Sequence, residues 1–171
     1  VVMIYLTVVY IVLIGGLIYS FLAVWTKTQG LRGTTIVDGN RVITLDGTAY
    51  LKETSRFDYE AIKWINHFLP QDGVVVEAIG GSYSEYARIS THTGLSTVLG
   101  WPGHELQWRG GYDELAGRES AIETLYSTND WTVASNIISR YAVEYVYIGH
   151  LERRDYPEYG LSKFENNMKK I

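Results

Sequence analysis

Apolar and charged positions divide the chain sharply at its first charged residue, Lys27. Val1 to Trp25 contains no Asp, Glu, Lys or Arg. As a helix that run spans about 37 Å at a rise of about 1.5 Å per residue, enough to cross a bilayer. Tyr5, Tyr19 and Trp25 suit interfacial positions, and Lys27 marks the exit into water. A secretory signal fits poorly, because a basic leading segment is missing and the apolar run is too long. The alternative is a helix buried in a soluble protein. The pattern predicts a transmembrane helix over residues 1–25. A start at Val1, with no initiator Met and no polar flank, reads as the last span and C-terminal part of a longer membrane protein.

From residue 26 to 47 the composition turns to Thr, Gly and polar residues, as in a linker leaving a membrane. Thr35-Ile36-Val37 and Arg41 to Leu45 flank Asp38-Gly39-Asn40, which predicts a short hairpin. Residues 48–171 read as a soluble domain. Ser55 with Asp58 resembles a helix cap, and the helix after it sets Ala61, Ile62, Ile65, Phe68 and Leu69 on one face. Val74 to Ile79 is a nearly continuous apolar run, as in a strand buried on both faces. Gly80-Gly81-Ser82 follows, and Tyr83 to Ile89 is expected to be helical. A strand, a glycine turn and a helix N-terminus could make an anion cradle, but this is not GxGxxG, and a plain tight turn is the preferred reading.

Residues 96–99 and 143–149 are the other expected strands. Arg118 to Tyr126 is expected to be a helix with Ala121, Ile122 and Leu125 inward. Asp130 is placed to cap a helix whose inner face is Val133, Ala134, Ile137, Ile138 and Tyr141. Leu161 to Lys170 reads as a terminal helix. Strands alternating with helices predict an α/β class: one N-terminal transmembrane helix, then a three-layer α/β domain with a small, mostly parallel sheet.

All charges lie after residue 25, so the soluble part carries the whole net charge of −4, which argues against a nucleic-acid partner. The absence of Cys excludes disulfides and Cys-ligated zinc. Fourteen Tyr and five Trp supply both core and surfaces that meet sugars, membranes or partners. The richest chemistry sits between Arg88 and Gly110, where two His, two Trp, two Arg and one Glu surround the short apolar pair Val98-Leu99. Histidine exchanges protons near neutral pH, arginine presents a fixed fork to carboxylate or phosphate, and tryptophan offers a flat face to a sugar ring. Glycines let backbone approach a ligand.

His104-Glu105 begins like a zinc-protease helix, but Trp108 stands where the second His is required. His92, His104 and Glu105 remain able to converge only in space. Glu77 lies within the expected strand, where an ionised carboxylate needs a partner, with Arg88 or Arg109 as the options. There is no Ser-His-Asp signature, no Walker motif and no Cys nucleophile.

Thr93-Gly94-Leu95-Ser96-Thr97-Val98-Leu99-Gly100-Trp101, with His104-Glu105 and Gln107-Trp108-Arg109-Gly110, resembles the C-terminal region of the YYY-domain polytopic membrane proteins of archaea and bacteria. Tyr145 to Gly149 followed by Leu151-Glu152-Arg153 adds to the likeness, as do Leu45-Asp46-Gly47 and Tyr50. The resemblance runs over residues 1–165. It implies a protein similar to the GT-C membrane glycosyltransferases: many spans, then a soluble domain outside the cytoplasm. In that class the essential acids sit between early spans, so no catalytic residue carries over to this chain. The implied role is assistance in binding a lipid-phosphate sugar donor or an acceptor. The implied partners are membrane lipid, a lipid-linked sugar or glycan, and the remaining spans. No cofactor is expected in this stretch, and any divalent metal would bind elsewhere in the full-length protein. Lys27 and Arg32, just after the span, pull the other way, toward a cytoplasmic C-terminus. The alternative function is a non-catalytic interaction domain of a membrane transporter or scaffold.

The expected ligand site gathers Arg88, His92, Trp101, His104, Glu105, Trp108 and Arg109 near the strand ends with Tyr83, Glu85 and Glu152. Trp101 and Trp108 would wall a sugar, and His104 and Glu105 would bond its hydroxyls. Arg109 would hold a phosphate or carboxylate through its two-pronged donor set, or else pair with Glu77 or Glu105 and fix the loop.

Overall fold

The computed structural model describes residues 1–32, 35–115 and 117–171. The chain forms two compact units, Val1–Arg56 and Phe57–Ile171, where the sequence places the start of the soluble domain at residue 48.

In the first unit, helix α1 covers Val2–Lys27, two residues past the expected end, and buries no side chain. It is long and apolar enough to cross a membrane. Strands β1 (Thr35–Val37) and β2 (Asn40–Val42) pair antiparallel, with Thr35 opposite Val42. Asp38 and Gly39 both adopt positive φ, 51° and 76°, which is the two-residue turn whose twist matches a hairpin. Lys52, on the short helix α2 (Leu51–Thr54), bonds Asp38 at 3.3 Å, and Glu53 accepts the Asp38 N–H. Nothing in the apolar pattern marks α2, because one turn is too short to show a period.

The second unit is an α/β assembly in which helices far outnumber strand residues. Its elements are α3 (Arg56–Phe68, entering from the first unit), β3 (Val74–Val76), α4 (Arg88–Thr93), β4 (Ser96–Thr97), α5 (Pro102–Arg109), a single 3₁₀ turn (Tyr112–Glu114), α6 (Arg118–Ser127), α7 (Trp131–Arg140), β5 (Tyr145–Val146), α8 (His150–Asp155) and α9 (Glu158–Asn167). The sheet has the order β4-β3-β5 with both pairings parallel. The crossovers through helices are what parallel neighbours require.

The strands are shorter than the apolar runs that predict them. Backbone bonds continue beyond β5, where Glu144 N–H donates to Val74 O at 2.9 Å and Tyr147 N–H to Val76 O at 3.0 Å. The rest of each run leaves the ladder but stays inside: Ala78, Val98 and Leu99 are core residues. Apolar composition reports burial, and a buried segment need not be paired.

The core joins the sheet to α6, α8 and α9 through Val76, Ile122, Leu125, Tyr126, Leu151 and Phe164. Tyr126 is fully buried, and its hydroxyl lies within donating distance of Val76 O (2.9 Å) and Tyr147 O (2.8 Å), tying α6 to two strands. Burial drives its phenol well above the ordinary range, so it remains a donor. Asp130 caps α7 as expected, accepting from Thr132 N–H at 2.7 Å. Lys163 of α9 is buried and reaches the Leu125 carbonyl at 2.6 Å near the C-terminal end of α6, where a cation is favoured by the helix dipole. Burial pulls its ammonium down to about 8.

Two inner-face expectations fail. Phe68 is 62% exposed and Val133 39% exposed. Phe68 instead packs on Trp64 (5.3 Å) and His67 (4.5 Å) on the outer side of α3. The expected helix over Tyr83 to Ile89 begins only at Arg88. Tyr83 and Ala87 both hold positive φ (58° and 57°), which interrupts a helical path. Helices α5 and α8 carry few apolar positions, and no period announces them.

Helix α9 meets α6 at Gly160. A Cβ there would sit 2.1 Å from the Tyr126 carbonyl oxygen and 2.9 Å from the Ser127 backbone. Both neighbours are main chain and cannot turn aside as a side chain can. Gly160→Ala is therefore expected to lower stability by roughly 1–3 kcal/mol through overpacking, read as a fall in the urea midpoint with an unchanged slope.

Candidate functional site

The sequence sends three carboxylates and one guanidinium into the same interior point. Asp58, Glu77 and Glu152 are fully buried, and Arg88 is 4% exposed. Asp58 lies on the face of α3 that also buries Ile62 and Ile65, at helical spacing. Glu77 follows β3 directly, Arg88 opens α4, and Glu152 sits in the first turn of α8.

Every oxygen of the three carboxylates has at least one partner. Arg88 Nε donates to Asp58 Oδ2 at 2.7 Å and Nη2 to Glu152 Oε2 at 2.9 Å, while Nη1 lies 3.9 Å from Glu77 Oε2. Glu77 accepts the N–H groups of Ile89 (2.9 Å) and Ser90 (2.8 Å). These are donors at the start of α4, which no earlier turn of helix can satisfy. Ala87, in the left-handed conformation, turns the chain so that they face the strand. Glu152 accepts from Ala78 N–H (2.7 Å) and from Gly149 N–H (2.8 Å), so one side chain both caps α8 and binds the end of β3. Tyr147 donates to Asp58 at 2.6 Å, and His150 Nδ1 lies 3.1 Å from the same carboxylate. The Arg88 guanidinium lies 5.2 Å from the centre of the Tyr147 ring.

The electrostatics follow from that geometry. Burial acts to pull the Arg88 guanidinium down, but Glu152 and Asp58 outweigh it, and the group is held firmly charged. Burial pushes the Glu77 carboxyl up from its ordinary value of 4.5, against the opposing pull of the Ser90 and Ile89 N–H groups and of Arg88. Burial and the bond to Asp58 likewise push the Tyr147 phenol up. The helix N-terminus at Arg88 is filled by the protein's own carboxylate. At Gly80-Gly81, where a plain tight turn is the preferred reading over an anion cradle, the chain opens an irregular loop of bends and turns, residues 80–87.

A second group of expected residues forms an aromatic platform at the surface, with Tyr83 and Trp108 exposed and Trp101 and His104 half-buried. Tyr83 lies 5.2 Å from Trp101 and 5.5 Å from His104, between ring centres, and His104 lies 6.1 Å from Trp108. Trp108 Nε1 donates to His104 Nε2 at 2.8 Å, one turn apart on α5, which leaves the His104 proton on Nδ1. Trp101 Nε1 donates to the Tyr86 carbonyl at 2.8 Å and is thereby fixed to the loop. Tyr83 is 77% and Trp108 75% exposed. Glu105 accepts from Gly100 N–H at 2.6 Å and from Arg109 Nε at 2.9 Å. The Arg109 side chain is half exposed, and it engages Glu105 rather than Glu77.

The ten expected residues thus fall into separate groups. Tyr83, Trp101, His104 and Trp108 stand together, with Glu105 and Arg109 on the same helix. Arg88 and Glu152 belong to the buried cluster. Glu85 bonds Arg154 at 2.8 Å on the surface, and His92 offers its backbone carbonyl to Asn66 at 3.0 Å. Tyr86 links the two groups: its carbonyl holds Trp101, and its hydroxyl bonds Asp155 and Arg154, each at 2.7 Å. Sequence reasoning missed Asp58, Tyr147 and Tyr86. For Asp58 a signal existed, since it shares a helical face with Ile62 and Ile65. Tyr147 and Tyr86 gave none. Among the described residues, no group of three or more His, Asp or Glu stands in a metal-holding arrangement.

Two expectations follow. Arg88→Met leaves buried carboxylates without a cation and should cost about 3–5 kcal/mol of stability, measured by chemical unfolding. For Glu77, the raised native pKa means that the folded chain holds a proton the unfolded chain releases near pH 4.5. Its contribution to stability is greatest at low pH, declines as pH rises through the native value, and is level above it. The stability difference, wild type minus Glu77→Gln, should therefore fall as pH rises from 4.5 and then flatten. A flat difference throughout would show that Glu77 titrates as an exposed acid does. Compared with known proteins, the chain matches no protein-family model, no curated protein and no solved structure.

Proposed function

We propose that the second unit is a glycan-binding accessory domain of a GT-C-like membrane glycosyltransferase. In this reading α1 is an integral span and the domain stands outside the cytoplasm with a three-layer α/β frame. The protein moves a sugar from a lipid-phosphate donor with acids that lie outside this chain, and the domain receives the donor's sugar or the acceptor glycan. The carrying observation is the aromatic array of exposed Tyr83 and Trp108 with half-buried Trp101 and His104. Flat aromatic faces beside hydrogen-bonding groups suit the apolar faces and hydroxyls of a sugar ring. Arg109 keeps donors beyond the Nε that bonds Glu105, and these are available to a phosphate or carboxylate. The loop that presents Tyr83 is held by the left-handed residues Tyr83 and Ala87, and such conformations cluster at ligand-binding segments.

A second reading, a non-catalytic interaction domain on a transporter or scaffold, draws support from the buried acids. Asp58, Glu77 and Glu152 are all engaged with Arg88 or backbone N–H groups, which leaves the domain without a free acid–base pair among them. The two readings separate by ligand. With the chain in lipid nanodiscs, titration with neutral and acidic oligosaccharides should perturb tryptophan fluorescence. Trp108→Ala should weaken that binding about tenfold, or ~1.4 kcal/mol, with little effect on thermal unfolding because the ring is exposed. Absence of saccharide binding by the intact chain favours the interaction domain. Sugar transfer from a lipid-linked donor by the full-length protein tests the transferase itself.

A further inference from the structure

Helix α5 has a second side. Trp108 and His104 lie on the platform, while Leu106 and the Pro102-Gly103 turn line a groove of about 780 Å³ on the opposite face. That volume is within the range of small-molecule sites, roughly 300–1,000 Å³. Ile79 and Leu99 line it as well. They lie just past the carboxyl ends of β3 and β4, where parallel open sheets bind ligands. Leu115 and two tyrosines, Tyr112 and Tyr156, complete the apolar and aromatic lining.

The polar part of the lining is one-sided. Asp113, Glu119 and Glu123 contribute carboxylates, and no Lys, Arg or His lines the groove among the described residues. The neighbouring cation, Arg118, is turned elsewhere: it donates to the Val98 carbonyl at 2.9 Å and lies over the Tyr141 ring. None of the three carboxylates has an ion-pair partner among the described residues. Burial, then the charge of Glu123, pushes the Tyr156 phenol up, so the ring enters the groove uncharged. Aromatic faces attract cations, carboxylates attract them further, and an apolar floor asks for a hydrocarbon or aryl body. An anion would meet three carboxylates and no compensating cation among the described lining residues.

We propose that this groove is a binding site for a small organic cation, an ammonium carried on an apolar body. It is independent of the glycan reading, since it uses the other face of α5. The test compares three probes of similar size, phenethylammonium, 2-phenylethanol and 3-phenylpropionate. Each is titrated against the full chain in nanodiscs by calorimetry, with empty nanodiscs as the reference. Phenethylammonium should bind at least tenfold more tightly than the alcohol, the carboxylate should not bind, and the preference should shrink with added salt. The double variant Glu119→Gln/Glu123→Gln changes two exposed side chains, and it should remove the preference for the cation. Trp108→Ala should leave that preference unchanged. Equal binding of all three probes, no binding of the ammonium, or a preference that survives in the double variant or is indifferent to salt would overturn the proposal.

Discussion

The fold of the second unit depends on one guanidinium. Arg88 is the common partner of carboxylates from α3, the end of β3 and α8, and it fixes how those segments meet beside the apolar core. With strands only two or three residues long, the sheet cannot by itself fix where its connecting segments go. The cluster does so, because a buried carboxylate must find donors. The donors present include Arg88, the Ile89 and Ser90 N–H groups in the first turn of α4, the N–H of Gly149 just before α8, the Ala78 N–H and Tyr147. An ionic centre of this kind adds little net stability over an apolar one, yet it tolerates few alternative arrangements. Here it selects a register.

That same dependence explains the surface. The loop between β3 and α4 is anchored at one end by Glu77 and at the other by Arg88, and between these anchors it presents Tyr83 and holds Trp101 through Tyr86. The platform is therefore anchored by contacts that lie beneath it. Helix α5 in turn separates the platform from the groove, so two chemically different surfaces share one short element.

The parts legible in the sequence were those governed by repetition or by strong local chemistry. The uncharged first segment, the Asp38-Gly39 turn, the α7 cap at Asp130 and the inner face of α6 could be read because each is set within a few residues. Glu77 stood out because it sits where a charge is costly. The partner set of Arg88 was not legible. Asp58 looked like a helix cap, and the fact that it faces inward shows only on the helical wheel beside Ile62 and Ile65. Tyr147 alternated like any strand residue. Helices α2, α5 and α8 are too short or too polar to impose a period, and the helix expected across Tyr83 is prevented by backbone conformations that side-chain patterns do not encode. The grouping of the ten candidate residues depended on these segments, so adjacency in sequence between Arg88 and the Trp101–Arg109 stretch did not translate into one site.

The separation of the cluster members along the chain bears on how the protein is made. Arg88 is 30 residues from Asp58 and 64 from Glu152, and Asp58 is 89 from Tyr147. A ribosome delivers Asp58, Glu77 and Arg88 long before the two groups that complete their environment. Until α8 emerges, Arg88 has Asp58 and Glu77 nearby but lacks Glu152, and Asp58 lacks Tyr147. Native contacts of such range make folding slow relative to local helix formation. Completion of the cluster therefore waits on α8, and apolar surface left open before that point is exposed to aggregation.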